Sequence, residues 1–321
     1  MERVAASLKS KIMSAEEAAQ LVKSGMSIGL SGFTSVGYPK AVPSALAASG
    51  HAKDLTILVG AAVGDDCDGA LVRAGCVKKR FGHQTNKDLR NSINAGMISY
   101  HDVPLGQMPV WVKNNFLKHI DVAIIEAAAI DENGNIIPTT SVGTSNIYAE
   151  YADKIIIEVN TYVPRCIEGI HDVYSPERPP HTQPIPITKV SDRVGTTYIK
   201  CDPAKVVAVV ESNIPDNGRT VSPVDDEFRS MANNLIGFLH SEVEHGRLCN
   251  PLPPVQAGVG SVSNAVLQGL AESDFEHLTV YSEVLQNSIF DLIDAGKVDF
   301  ASGTSLTISW DKRDEFFENF E

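Results

Sequence analysis

Five short apolar runs constrain the fold of this chain more than any other feature. Several are rich in valine and isoleucine and lack clean alternation with polar residues, which is typical of strands covered on both faces of a sheet. Helical or turn-rich segments separate them, as in α/β proteins. The runs are Met26–Leu30, Leu55–Val59, Val122–Ala127, Ile155–Val159 and Val206–Val210. The sequence therefore predicts an α/β fold.

Composition narrows the range of partners. The 321 residues, 43% of them hydrophobic, suffice for two domains with a sizeable core. The formal net charge of -13 and the absence of a long basic run argue against nucleic acid and anionic membranes as partners. No apolar run has the length of a membrane span, and the N-terminus lacks the apolar core of a signal peptide.

Cysteine usage predicts the compartment. The five cysteines are odd in number, widely scattered and free of CxxC pairs. This pattern indicates a reducing cytoplasm and thiols that form neither disulfides nor a zinc site. His240 and His245 are five residues apart on a predicted helix, which does not direct both imidazoles at one metal ion. We expect a cytoplasmic protein without a metal.

The chain divides into two predicted domains, residues 1–223 and 224–321. In the first, Ser14–Glu17 is a capping box that begins a helix ending near Ser24, and a strand then leads into the glycine-rich turn Ser31–Gly37. The second repeats this order, with a glycine turn at Gly258, a strand ending at Glu283 and helices on either side. It ends after about three strands, so we expect an incomplete domain.

Glu283 and the turn Gly258-Val259-Gly260 are the leading candidate site. A carboxylate at the end of a strand, beside backbone amides that glycine leaves accessible, can act as a nucleophile next to its own oxyanion hole. Asn264 begins the next helix and is a candidate to hold the turn. This arrangement points to acyl transfer, whereas the plainest alternative is a tight turn beside a surface strand end.

A second interpretation uses the same residues. Two glycines, a helix and an acidic residue some twenty positions later resemble the dinucleotide fingerprint, in which Glu283 would bind a ribose hydroxyl of NAD. Ser263 occupies the place of the third glycine, however, and Pro253-Pro-Val-Gln256 is a poor strand. These misfits weigh against an NAD-dependent oxidoreductase.

The turn after the first strand is a further candidate. Gly32, Phe33 and Thr34 belong to a glycine-rich loop that could let the backbone approach a phosphate or a pantetheine arm. Gly29-Leu-Ser31-Gly-Phe33 also approaches the G-x-S-x-G nucleophile elbow, but Phe33 replaces the last glycine, so we discount a serine nucleophile. Lys78-Lys-Arg80 is interpreted as a solvated basic face, and a grip on nucleotide phosphates is the alternative.

Seven collinear segments resemble the acetyl-CoA hydrolase/transferase family of class I CoA-transferases, and within it the succinyl-CoA:acetate CoA-transferases. They span essentially the whole chain and are therefore more specific than a single glycine loop. The segments are Ser31–Lys40, Glu126–Ile130 with Ile136–Gly143, Lys154–Asn160, Glu168–Asp172, Asp192–Gly195, Gly258–Gly260 with Asn264–Leu267, and Tyr281–Gln286.

The resemblance implies two related NagB/RpiA/CoA-transferase-like α/β domains, the second incomplete. It also implies that Glu283 attacks an acyl-CoA and carries CoA as a glutamyl thioester to a small carboxylate, with the amide of Val259 as oxyanion donor and Gly258, Val259, Gly260 and Asn264 at the CoA site. Coenzyme A would be substrate and product, and no cofactor would be permanently bound. An acetyl-CoA hydrolase is the close variant.

Family members continue beyond the point where this chain stops. The resemblance therefore implies that the chain is truncated at its C-terminus, either as a fragment or as a truncated, inactive product. For the complete protein we expect a homodimer that binds acyl-CoA and small carboxylates.

Overall fold

The computed structural model describes residues 3–62, 64–217, 225–258 and 260–320. The chain forms two compact units. One contains the described residues up to Ile185 together with Val194–Asn217, and the other contains Pro186–Arg193 and the described residues from Asp225 to Asn319. The predicted boundary between residues 223 and 224 lies outside the described residues.

The first unit is built on a parallel sheet of seven strands, which confirms the predicted α/β fold. The strand order is β4-β3-β2-β1-β5-β8-β9, and β6 and β7 form a separate antiparallel pair. The strands are β1 Ser27–Thr34, β2 Leu55–Ala62, β3 Val77–Phe81, β4 Ser99–His101, β5 Val122–Ala127, β6 Ala129–Ile130, β7 Ile136–Ile137, β8 Lys154–Asn160 and β9 Val206–Ser212. All five apolar runs are strands of this sheet. The apolar pattern missed β3 and β4, because β3 carries exposed lysines and β4 is three residues long.

The helices of the first unit follow or precede these strands. They are α1 Ala15–Ala19, α2 Ala41–Ser49, α3 Ala70–Arg73, α4 Lys87–Asn94, α5 Gln107–Lys113 and α6 Ser145–Tyr151. The Ser14 capping box of α1 is confirmed, because Ser14 Oγ accepts from the Glu17 amide and Glu17 accepts from the Ser14 amide. The helix is shorter than predicted, since the amides of Leu21 and Val22 bond to carbonyls three residues back and tighten the chain before Gly25.

Successive residues of β5 show why the central strands lack alternation. Ala123 and Ile125 belong to one apolar cluster, and Val122 and Ile124 belong to another. Because neighbouring side chains of a strand point to opposite faces, both faces of the sheet are covered.

The second unit is smaller. Its helices are α7 Asp226–Glu244, α8 Ser261–Glu272, α9 Asn287–Asp294 and α10 Trp310–Glu318, and its strands are β10 Leu278–Ser282, β11 Leu285–Gln286, β12 Val298–Gly303 and β13 Leu306–Thr307. Strands β10 and β12 form one parallel pair, and β11 and β13 form another. A single apolar cluster, which includes Leu267, Leu278 and Ile289, forms its core. The predicted order of elements is confirmed.

Two predicted absences concern the described part of the chain. No helix there combines the length and apolar character needed to cross a membrane. Within the same residues, no group of three histidine, cysteine, aspartate or glutamate side chains is arranged to hold a metal ion.

Candidate active site

Glu283 follows directly after β10, at the carboxyl end of the strand. Its side chain is exposed, whereas the preceding Ser282 and the following Val284 are buried. Its carbonyl oxygen accepts a hydrogen bond of 3.0 Å from the amide of Thr304 and a second bond from the Thr304 hydroxyl. The main chain of Glu283 is therefore held, while its carboxylate is accessible to a reactant.

The glycine turn begins next to the same strand. Val255 forms a parallel bridge to Val280, with a bond of 2.8 Å from its amide to the Thr279 carbonyl. Gly260 precedes α8 with a φ of +151°, which L side chains rarely adopt. A Cβ atom at Gly258 or Gly260 would meet nothing within 4 Å. The described glycines of the turn thus have an open face.

Three side chains hold this turn. Ser282 Oγ accepts from the Ala257 amide at 3.2 Å and donates to the Ala257 carbonyl at 2.8 Å. Gln286 Nε2 donates to the Gly258 carbonyl at 3.2 Å. Ser263 Oγ lies 2.6 Å from the Gly258 carbonyl oxygen and 2.9 Å from that of Gly260. The bonds from Ser282 and Gln286 join the start of the turn to the residues on either side of Glu283 in sequence.

Val259 and Asn264 complete the predicted set. Val259 lies outside the described residues, so its amide as oxyanion donor stays a prediction. Asn264 is buried in α8, and its Oδ1 accepts from Ser288 Oγ of α9 at 3.1 Å. Its side chain therefore joins two helices, while its amide bonds to the Gly260 carbonyl at 3.1 Å.

Ser263 also bears on the dinucleotide interpretation. The third glycine of that fingerprint allows a helix to pack closely on a strand. Here the position carries a hydroxyl that bonds the two glycine carbonyls, and the segment before the turn contributes a single bridge rather than a strand. The local geometry gives the dinucleotide interpretation no added support.

The second predicted loop lies in the first unit, at the end of β1. Gly32, Phe33 and Thr34 are part of that strand, and Thr34 has a φ of 53°. The amide of Phe33 donates to Ser141 Oγ at 3.0 Å, and Ser141 Oγ donates to the Val36 carbonyl at 3.0 Å. The loop is thus fixed by a neighbouring segment.

Ser31 has a structural role. It is buried, donates to the Gly37 carbonyl at 2.9 Å and accepts from the Glu126 amide at 2.9 Å. A buried hydroxyl that both donates and accepts a hydrogen bond is not available for nucleophilic attack. This agrees with discounting a serine nucleophile.

Sequence reasoning missed a buried charge cluster, formed by Lys40, Glu126, Glu158 and Asp216. Lys40 Nζ bonds to Glu126 and lies 2.9 Å from Asp216 Oδ1, with all three side chains at least nine-tenths buried. Asp216 accepts from the Gly37 amide at 3.1 Å and from the Thr140 hydroxyl at 2.7 Å. The cluster therefore ties the loop after β1 to the segment after β9.

Burial and the neighbouring charges shift the pKa values of two members of this cluster. Desolvation, with the charges of Asp216 and Glu158, raises the pKa of Glu126 to about 8 although Lys40 acts in the opposite direction. Desolvation alone would lower the pKa of Lys40, but Asp216 and Glu126 outweigh it and raise that pKa. The amine of Lys40 therefore stays charged, and the raised pKa of Glu126 lies near neutral pH.

The sequence held a signal for this cluster. Glu126 and Glu158 each interrupt an apolar run, and the two are paired in register on the neighbouring strands β5 and β8.

Burial corrects the interpretation of Lys78-Lys-Arg80 as a solvated face. Lys78 and Lys79 are exposed, but Arg80 is fully buried and bonds to Asp68 at 2.8 Å.

The fold defines the class of protein. The chain is similar to the solved 4-hydroxybutyrate CoA-transferase from Porphyromonas gingivalis, with a TM-score of 0.62 and 14% identity over 97% of this chain and 66% of that chain. At this identity the likeness shows the fold, which is the α/β fold of CoA-transferases. Residues 1–211 match the model of the acetyl-CoA hydrolase/transferase N-terminal domain. The chain belongs to the acetyl-CoA hydrolase/transferase family.

Two relatives show the extent of the match. The chain is 42% identical over 316 residues to the succinyl-CoA:acetate CoA-transferase of Clostridium kluyveri, covering 97% of this chain and 59% of that protein. It is 39% identical over 336 residues to the acetyl-CoA hydrolase of Schizosaccharomyces pombe, covering 98% of this chain and 64% of that protein. The chain thus spans about three fifths of the length of these relatives.

Proposed function

We propose that the protein carrying this chain transfers CoA from acetyl-CoA or succinyl-CoA to a small carboxylate, acetate or succinate. The observation that carries the proposal is the exposed carboxylate of Glu283. Its neighbour Ser282 is bonded to Ala257, the residue just before the glycine turn. The similarity to a protein named succinyl-CoA:acetate CoA-transferase supports the choice of substrates.

In the proposed reaction, a Glu283 oxygen attacks the thioester carbonyl carbon. The C–S bond breaks, CoA leaves as a thiolate, and an acyl-glutamyl anhydride remains. The thiolate then attacks the side-chain carbonyl carbon of Glu283 in the anhydride and expels the donor carboxylate. A glutamyl-CoA thioester remains. An acceptor carboxylate reverses these steps. Because the thioester is exchanged and not hydrolysed, no ATP is required.

Negative charge develops on the thioester oxygen in the first step. Backbone N–H groups aimed at that oxygen stabilise the charge because they need no reorganisation during the reaction. The open face of Gly258 and Gly260 supports this role for the turn, and the Val259 amide is our proposed donor.

Acetyl-CoA hydrolysis is the second candidate, favoured by the similarity to proteins named acetyl-CoA hydrolase. It uses the same glutamyl thioester, with water in place of the acceptor carboxylate. Assays of free CoA and of succinyl-CoA, each with and without added succinate, separate the two. Hydrolysis frees CoA without an acceptor, whereas transfer moves CoA to succinate and frees none.

The test is chemical trapping of Glu283. Acetyl-CoA is added to the complete protein that carries this chain, and borohydride then reduces the glutamyl thioester to an alcohol that peptide mass spectrometry locates. We expect modification of Glu283 in the wild-type protein and none in Glu283→Gln.

Glu276→Gln is the matched control, since Glu276 is an exposed carboxylate just before the same strand. It should label as the wild type does. Modification spread over exposed carboxylates, or absent from Glu283, contradicts the covalent mechanism.

We further propose that the complete protein is a cytoplasmic homodimer for which coenzyme A is substrate and product, with no resident cofactor. The scattered cysteines support the compartment, and the family resemblance supports the assembly. Light scattering after size-exclusion chromatography measures the assembly directly.

A further inference from the structure

Two buried side chains on either side of Glu283 bond to the glycine turn or to the residue just before it. Ser282 immediately precedes Glu283 and bonds both the amide and the carbonyl of Ala257. Gln286 follows three residues later and donates to the Gly258 carbonyl. Their exposed fractions are 7% and 5%. Solvent therefore competes little for these bonds.

The direction of these side chains follows from their place at the strand end. Successive residues of a strand point to opposite faces, so a buried Ser282 leaves Glu283 facing outward. The Ser282 hydroxyl reaches the residue just before Gly258, and Thr304 fixes the Glu283 carbonyl. The main chain of Glu283 and the start of the turn are thus tied by bonds that involve neither the carboxylate nor a glycine N–H of the turn.

We propose that Ser282 and Gln286 are positioning residues that hold the glycine turn at the reacting distance from Glu283. Both side chains are buried, and they act by fixing where the backbone donors of the turn lie. The inference rests on the proposed function of Glu283. A displacement of about 1 Å costs on the order of 100-fold in rate, so such ties affect catalysis more than stability.

Ser282→Ala and Gln286→Leu remove these ties. We expect faster amide hydrogen exchange between residues 256 and 260, and a 10- to 100-fold slower acylation of Glu283 by acetyl-CoA, as the order of magnitude. The KM for acetyl-CoA should change far less than kcat, because the lost interaction acts in the transition state. Ser282→Thr retains the hydroxyl and should restore both readouts.

Ser273→Ala is the matched control. Ser273 Oγ also donates to a carbonyl at 2.8 Å, that of Leu270, and accepts from an amide at 3.2 Å, that of Phe275. These bonds lie at the opposite end of α8 from the turn. Ser273→Ala removes the same pair of bonds and should leave exchange in the turn and the acylation rate at wild-type values.

The outcomes separate the two claims. Wild-type acylation rates in Ser282→Ala and Gln286→Leu, or slower acylation without faster exchange in the turn, overturn the positioning role. A complete wild-type protein that is not acylated at Glu283 overturns the proposed function, and the exchange comparison still decides whether Ser282 and Gln286 hold the turn.

Discussion

At the scale of single residues, Gly37 shows how tightly the loop after β1 is fitted. Its φ is +69°, and a Cβ atom there would lie 2.3 Å from Ser141 Oγ. Ser141 cannot withdraw freely, because the same hydroxyl bonds to Phe33 and Val36. The position therefore demands glycine for its backbone conformation and for space.

Gly37→Ala should lower the free energy of unfolding by about 1–3 kcal/mol more than Gly96→Ala does, because only Gly37 adds overpacking to an unfavourable φ. Gly96 has a φ of +73° and nothing within 4 Å of an added Cβ. Urea unfolding of both variants measures the difference. Equal losses would show that Ser141 moves aside.

Glu126 should make the free energy of unfolding depend on pH, and the sign of that dependence follows from its pKa. Burial raises its pKa from the ordinary value of a glutamate to about 8. The folded state therefore holds a proton that the unfolded state releases, and the resulting stability is full below the ordinary pKa and is lost as pH rises through 8. The slope between these values approaches about 1.4 kcal/mol per pH unit.

The measurement is the unfolding free energy of wild type minus that of Glu126→Gln between pH 5 and pH 9. We expect this difference to fall as pH rises. A difference that rises with pH contradicts a protonated Glu126.

At the scale of elements, α2 begins without a cap of its own. Its N-terminal neighbour Lys40 makes no capping bond with its side chain. Instead, Glu158 of β8 accepts from the amides of Lys40, Ala41 and Val42 at 2.9–3.1 Å. A carboxylate at this end also complements the helix dipole.

Glu158→Gln should cost about 1–3 kcal/mol, because it removes the charge and turns an amide N–H group toward buried donors. Ser14→Ala, which removes the exposed cap of α1, should cost about 0.5–2 kcal/mol. Chemical unfolding of the two variants tests the order. A smaller loss in Glu158→Gln would show that water or Ser212 replaces the cap.

The two helix caps show which features could be predicted from the sequence: those whose partners lie close together in the chain. Ser14 and Glu17 are three residues apart, so a local pattern suffices for α1. The cap of α2 and the ties from Ser282 and Gln286 to the turn join residues far apart in the chain, and no local spacing encodes such pairs. Glu283 could be found because its place at a strand end is a local property.

At the scale of the whole molecule, each unit has its own apolar core and one tryptophan. Trp111 packs against a core cluster of the first unit, and Trp310 lies in α10 of the second.

Five apolar runs predicted the sheet of the first unit, since strands covered on both faces carry a strong signal in the sequence. The short paired strands of the second unit carry a weaker one.

Leu267→Ala should lower the unfolding midpoint reported by Trp310 and leave that reported by Trp111 nearly unchanged. Leu267 is 1% exposed in the core of the second unit, and truncation of such a leucine costs about 2–5 kcal/mol. Fluorescence in Trp111→Phe and Trp310→Phe backgrounds separates the signals. Equal shifts at both tryptophans would mean that the units unfold together.

The distant cap of α2 has a consequence for synthesis on the ribosome. Ala41 and Glu158 are 117 residues apart, so the start of α2 leaves the exit tunnel long before its carboxylate partner has been translated. At about 5–20 residues per second, the delay is roughly 6–23 seconds. Throughout that interval the nascent chain carries three amides whose carboxylate partner has yet to follow. Codons that slow translation between β2 and β8 should therefore prolong exposure of the nascent chain to chaperones.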